Sequence, residues 1–187
     1  MPNVESLNQH NKNYISDDAF EKEKRAHLEH NSDNFKFLYQ DDIPHGDALD
    51  KHKLSYAVDI GSGTGWFANY LVEQRKYKKV YAIEPSEEAI EIAKKIYPDS
   101  NKVKYINGFA EEEISKLKLS KPTFFSTMCC LAHLEDEDVL GILKTIDKIA
   151  PIDSVLACSE PWGDFYHRLC WNIRPPEWWS DTLADWE

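Results

Sequence analysis

The apolar run YAVDI (56–60) leads straight into glycines at alternate positions, Gly61, Gly63 and Gly65. Glycine accepts left-handed backbone and close approach that other residues resist, so this spacing describes a strand that turns sharply where something must come near the main chain. The next segment carries Phe67, Tyr70, Leu71 and Gln74 at helical spacing. A strand, a glycine turn and a helix form the first part of a βαβ unit, which directs the chain toward an α/β fold.

The pattern continues. VYAIE (80–84) is a second predicted strand, and Ser86 is placed to cap a helix with Glu87 and Glu88 in its first turn. Ala89, Ile92, Ala93 and Ile96 mark that helix's apolar face, and Pro98 stops it. VKYI (103–106) is a third strand, EEEISKLKL (111–119) a short helix and FFSTMCCL (124–131) a fourth strand. Residues 135–150 then present Val139, Ile142, Leu143, Ile146 and Ile149 on one helical face, before a fifth strand in SVLACS (154–159). Strands alternating with helices predict a Rossmann-like, mostly parallel sheet flanked by helices. Ligands of such sheets lie at the carboxyl ends of the strands, near the point where strand order reverses. The glycine loop, Glu84, the stretch 109–111 and the stretch 128–133 all fall at that edge.

A dinucleotide fingerprint needs G-x-G-x-x-G, its third glycine letting helix and strand close around a pyrophosphate. Here Trp66 holds that third position and the spacing is G-x-G-x-G, which disfavours a nicotinamide- or flavin-dependent oxidoreductase. Glu84 ends the second strand, where a carboxylate can accept hydrogen bonds from both hydroxyls of a ribose. Together these features describe a nucleoside site that requires no pyrophosphate.

AVDIGSGTG followed by AIEPS resembles the class I S-adenosylmethionine-dependent methyltransferase family, over residues 56–160. The resemblance implies S-adenosyl-L-methionine as cofactor and S-adenosyl-L-homocysteine as product. It implies that Gly61, Ser62, Gly63 and Gly65 surround the cofactor's methionine part, that Asp59 orients the loop, and that Glu84, with Pro85 behind it, holds the ribose. NGFAEE resembles the family's adenine-side motif, with Phe109 and the backbone of Ala110 in the adenine role. The fourth strand, STMCCLAHLED, resembles the family segment that ends in a His-Leu-x-Asp-like string, which implies that Met128 sits near the methyl group. Family members usually finish with an antiparallel strand pair, and the 28 residues after Ser159 show no such alternation, so the C-terminal strand region is expected to be shortened.

Two histidines are candidate bases. His133 follows the fourth strand and is either a general base for an acceptor hydroxyl or a hydrogen-bonded wall residue. His167 lies one turn past Asp164 on an expected short helix (164–171), and is either a carboxylate-oriented base or a surface residue. The chain thus divides into an N-terminal helical cap (1–55, with a helix expected over 17–30), the cofactor domain (56–160) and a Trp-rich tail (161–187). Trp162, Trp171, Trp178, Trp179 and Trp186 exceed what one short segment can bury, so the tail is expected to form a substrate wall or a homodimer contact. Arg174, beside Pro175 and Pro176, suits a carboxylate or phosphate, or an ordinary surface position.

The formal net charge of −11 argues against binding to a phosphate backbone, so nucleic acid is not the expected partner. No apolar run is long enough to span a bilayer and no secretory signal is legible, so no membrane partner and a cytoplasmic location are expected. Cys129, Cys130, Cys158 and Cys170 lack Cys-x-x-Cys spacing and are expected to be reduced and mostly buried; no metal is expected. The expected activity is methyl transfer to a small polar acceptor, O-methylation of a sugar or other metabolite ahead of N-methylation. The alternative is a non-catalytic S-adenosylmethionine-binding module that needs a partner chain.

Overall fold

A computed structural model describes residues 54–160 and 172–186. It contains five strands: β1 (Tyr56–Ile60), β2 (Lys79–Glu84), β3 (Val103–Asn107), β4 (Thr123–Met128) and β5 (Val155–Ser159). They pair in the order β3-β2-β1-β4-β5, every neighbouring pair parallel. The helices are α1 (Trp66–Glu73), α2 (Glu87–Ile96), α3 (Ala110–Glu113), α4 (Asp136–Ile149) and α5 (Pro176–Thr182). The chain therefore moves outward from β1 through β2 to β3, then returns to lay β4 and β5 on the other side of β1. That reversal puts the crevice of the sheet at the carboxyl ends of β1 and β4.

Alternation along the strands sorts two cores. Ala57, Val80, Ala82, Phe124 and Ala157 face α1, where Phe67, Ala68 and Leu71 cover them. Val58, Ile60, Ile83 and Phe125 face the other way and meet Val139, Ile142, Leu143 and Ile146 of α4. Both faces are covered, which is why β1, β2 and β4 read as nearly continuous apolar runs. Ser86 caps α2 by accepting the Ala89 amide at 3.2 Å. On that helix Ile90, Ile92 and Ala93 are buried, so its buried face includes Ile90 and leaves Ala89 at the margin.

Two sequence expectations shift at element ends. β4 stops at Met128, three residues early, because Cys129 turns into left-handed backbone (φ 50°) and Leu131–His133 form one tight helical turn. The short helix expected over 111–119 is one turn of α-helix followed by a tighter turn, Ile114–Lys116. Among the described residues no strand follows β5, and the described part of the tail ends in α5 instead of a strand pair. No helix there is long and apolar enough to cross a membrane. The expected helices at 17–30 and 164–171 lie outside the described residues.

Ile146 is fully buried beneath the sheet whereas Ile149, one turn on, is only half-buried. Ile146→Ala is expected to destabilise the domain by about 2–5 kcal/mol in urea unfolding and Ile149→Ala by distinctly less. Equal losses would mean that α4 docks in a different rotation.

Candidate functional site

Gly61, Gly63 and Gly65 all have positive φ, at 71°, 52° and 77°. The amides of Gly61 and Ser62 both donate to the Ile83 carbonyl at 2.9 and 3.0 Å, which moors the loop to the end of β2. The three glycines then serve different ends. A Cβ on Gly61 would overlap the Cys130 side chain, and one on Gly65 would overlap the Tyr105 ring. A Cβ on Gly63 would meet nothing within 4 Å, so this position faces open space. The loop is thus braced at both ends and open at its middle.

Glu84 ties this loop to the next. Its Oε2 accepts the Gly63 amide at 2.9 Å and its Oε1 the Ser86 amide at 2.9 Å. Two of the roughly four lone-pair positions on a carboxylate are filled this way, leaving capacity for further donors. Burial raises the Glu84 pKa, while the Ser86 and Gly63 amides oppose the rise. Asn107 donates to the carbonyls of Glu84 and Pro85, and the Gly108 amide donates to that of Glu84, so the end of β3 holds the Glu84–Pro85 corner. Phe109 and Ala110 follow directly, at the start of α3 and half-buried.

Asp59 lies beneath the loop on the α1 face, opposite Ser126 in the β1–β4 register. Ser126 Oγ donates to its Oδ1 at 3.0 Å. Asp59 Oδ2 and Ser62 Oγ are buried and make no hydrogen bond among the described residues. Desolvation raises the Asp59 pKa from 3.8 to about 7, the Ser126 bond opposes it, and the Glu84 charge adds to it. Unsatisfied polar atoms under a positive-φ loop are what a polar ligand seated on that loop would complete.

The opposite wall follows β4. Met128 is half-buried at the strand's end, Cys129 is exposed, and Cys130 is partly buried with its thiol against Gly61. His133 ends the tight turn, its amide bonded to the Cys130 carbonyl. Every cofactor residue expected from the sequence therefore lies at one edge of the sheet, with His133 on its β4 side. His167 lies outside the described residues. Among those described, no group of His, Cys, Asp and Glu could hold a metal ion.

Arg174 is not a surface residue, and the carboxylate it holds is the chain's own: it is only 5 % exposed, and it donates to Asp136 Oδ1 and to the carbonyls of Leu131, Asn172 and Leu134. Trp178, Trp179 and Trp186 pack partly buried against the α4-side core, while Trp162 and Trp171 lie outside the described residues. Sequence reasoning missed Asn107, Tyr105 and Glu160. Glu160 had a usable signal, since it is the first residue past β5 and so falls at the edge where ligands gather.

Glycine substitutions separate bracing from binding. Gly63→Ala is expected to incur only the left-handed backbone penalty, about 1–2 kcal/mol, whereas Gly61→Ala adds the overlap with Cys130. Thermal unfolding should rank Gly61→Ala clearly below Gly63→Ala, and the opposite order would contradict the loop geometry. Asp59 makes a pH prediction. Its folded pKa exceeds the unfolded one, so its protonated form favours the fold at low pH and stability falls as pH rises from about 4 to about 7. Asp59→Asn should flatten stability over that window relative to the parent chain, as measured by denaturant titrations at several pH values; parallel curves would exclude it.

The geometry agrees with the comparisons. A family model described as a methyltransferase domain matches residues 57–150. Among curated proteins none matches the sequence. Solved structures share the fold at low identity. An O-methyltransferase from neocarzinostatin biosynthesis, in complex with S-adenosylmethionine and 2-hydroxy-5-methyl naphthoic acid, is 17 % identical at a TM-score of 0.60, over 76 % of this chain and 46 % of that one. An S-adenosylmethionine-dependent methyltransferase from Archaeoglobus fulgidus is 16 % identical at 0.58, over 82 % and 73 %. The methyltransferase domain of bacterial CtHen1-CN is 14 % identical at 0.57, over 73 % and 78 %. With its glycine loop, its Glu84 corner and its α4 all inside the matched span, the chain belongs to this family of methyltransferase domains.

Proposed function

We propose that the chain binds S-adenosyl-L-methionine on the 61–65 loop and transfers its methyl group to a small polar acceptor entering from the β4 side. The observation that carries the reading is the open, positive-φ loop at Gly63 bonded to a buried carboxylate with lone pairs to spare. The residues fit the group: Ser62 Oγ and Asp59 Oδ2 are unsatisfied polar atoms beneath the loop, and Gly63 offers a surface with no side chain. In this reading the methionine part lies on residues 61–65, Glu84 holds the ribose hydroxyls, and Phe109 with the Ala110 backbone flanks the base.

When bound, the cofactor supplies a methyl group on a sulfonium sulfur, already activated for displacement. The protein's task is then alignment, and holding two reactants in line can contribute about 7–11 kcal/mol, more than a base would add. In this reading Met128 and the turn Leu131–His133 form the side from which an acceptor oxygen or nitrogen approaches, and His133 is a candidate to take its proton. Burial raises the pKa of Asp59, Glu84 and Glu111 alike, so these carboxyls hold their protons more readily than free ones do. The acceptor is proposed as a small metabolite, an alcohol ahead of an amine, and not nucleic acid, given the net charge of −11.

Calorimetry with S-adenosylhomocysteine tests the reading. Glu84→Ala should weaken binding by about 1.5–3 kcal/mol, roughly 10- to 150-fold, if charged hydrogen bonds to the ribose are real. Absence of binding to the unaltered chain, or unchanged affinity in a folded Glu84→Ala, would defeat it. Methyl release against a panel of alcohols and amines then identifies the acceptor class.

A further inference from the structure

The turn Leu131–His133 is held at both ends by charged side chains from distant parts of the chain. At its start the Glu160 carboxylate accepts the Cys130 amide at 3.4 Å on Oε1 and the Ala132 amide at 3.1 Å on Oε2. At its end the Arg174 guanidinium donates to the Leu131 carbonyl at 2.9 Å and the Leu134 carbonyl at 2.7 Å. Asn172 completes the set, its amide donating to the Ala132 carbonyl and its side chain to that of Leu134, both at 2.9 Å. The signs match the turn, with an anion where amides point out and a cation where carbonyls do. Arg174 is itself fixed by Asp136 Oδ1 at 2.8 Å and by the Trp178 ring, 4.9 Å from its guanidinium carbon.

What this turn supports gives the clamp a consequence. The residue that opens into it, Cys130, stands where a Gly61 side chain would be, so this segment forms the brace for the near end of the glycine loop. Its last residue is His133, on the acceptor side. A short turn of irregular backbone has few internal hydrogen bonds to hold its shape. Here the shape comes from outside, through β5 and the tail.

We propose that Glu160 and Arg174 are positioning residues for methyl transfer, which jointly fix the Cys130–His133 turn and through Cys130 set the glycine loop for cofactor binding. The proposal rests on the reading that residues 61–65 hold the cofactor. It assigns the Trp-rich tail a role in that site: α5 anchors the guanidinium that closes the acceptor-side turn. Neither residue touches a reacting atom, so each acts through the turn.

The test uses the full chain and S-adenosylhomocysteine as probe, with Glu160→Gln, Arg174→Ala and Arg174→Lys. Hydrogen exchange over residues 130–134 should accelerate about tenfold or more in Arg174→Ala, and S-adenosylhomocysteine affinity should fall about fivefold or more, with far-ultraviolet circular dichroism unchanged. Glu160→Gln should move both readouts in the same direction, and Arg174→Lys should restore part of each. A role confined to general stability would lower the unfolding midpoint but leave the affinity of the folded fraction unaltered. Should Arg174→Ala not fold, the isosteric Glu160→Gln decides. Slow exchange and affinity within twofold of the parent in a folded variant would overturn the proposal. If the parent chain binds no S-adenosylhomocysteine, the cofactor reading fails, while exchange at 130–134 still reports whether the clamp holds the turn.

Discussion

Glu84 accepts the Gly63 amide on one carboxylate oxygen and the Ser86 amide on the other, joining the loop after β1 to the loop after β2. Backbone with positive φ at three of five positions has little intrinsic preference for one shape. It keeps its shape here because a buried carboxylate and the Ile83 carbonyl together take the amides of Gly61, Ser62 and Gly63. The same carboxyl group then serves two purposes. It stabilises the loop, and on the proposed reading its remaining lone pairs take the ribose hydroxyls. On that reading structure and binding are coupled at one side chain, and a substitution there is read against both fold and affinity.

The sheet explains how so many polar groups meet. Parallel strands end together at one edge, and each leads into a loop that opens a helix or turn, so unsatisfied amides collect there and invite carboxylates. Glu84 answers those after β1 and β2, and Glu160 those after β4. Asp59 differs in lying below the edge, where Ser126 Oγ donates to it, and burial leaves its carboxyl prone to hold a proton near neutral pH. The formal net charge of −11 gives the chain as a whole an electrostatic bias toward cations, the character of the cofactor proposed for it.

Much of this was legible along the chain. YAVDI and VYAIE are buried strands because apolar runs of that length, bounded by turn residues, suit a sheet covered on both faces. Ser86 before two glutamates signals a helix start by chemistry confined to one turn. The glycines and Glu84 marked the candidate site because steric freedom and carboxylate chemistry are properties of single residues. The end of β4 was not legible, since FFSTMCCL stays apolar beyond Met128 and nothing local announces the left-handed backbone at Cys129. Arg174 was misread for a related reason. A lone arginine beside prolines carries no mark of the carbonyls that will surround it.

By itself the sequence determined the alternation of strands and helices, the glycine loop and the acid beside it, because these follow from periodicity and from residues that act within a few positions of themselves. The tertiary structure alone decided that Cys130 braces Gly61, that Tyr105 packs on Gly65, and that Glu160 and Arg174 grip one turn from 30 and 40 residues away. Those contacts depend on which loops the strand order brings to a common edge. That order is settled by the packing of the whole sheet, which no short stretch of sequence encodes.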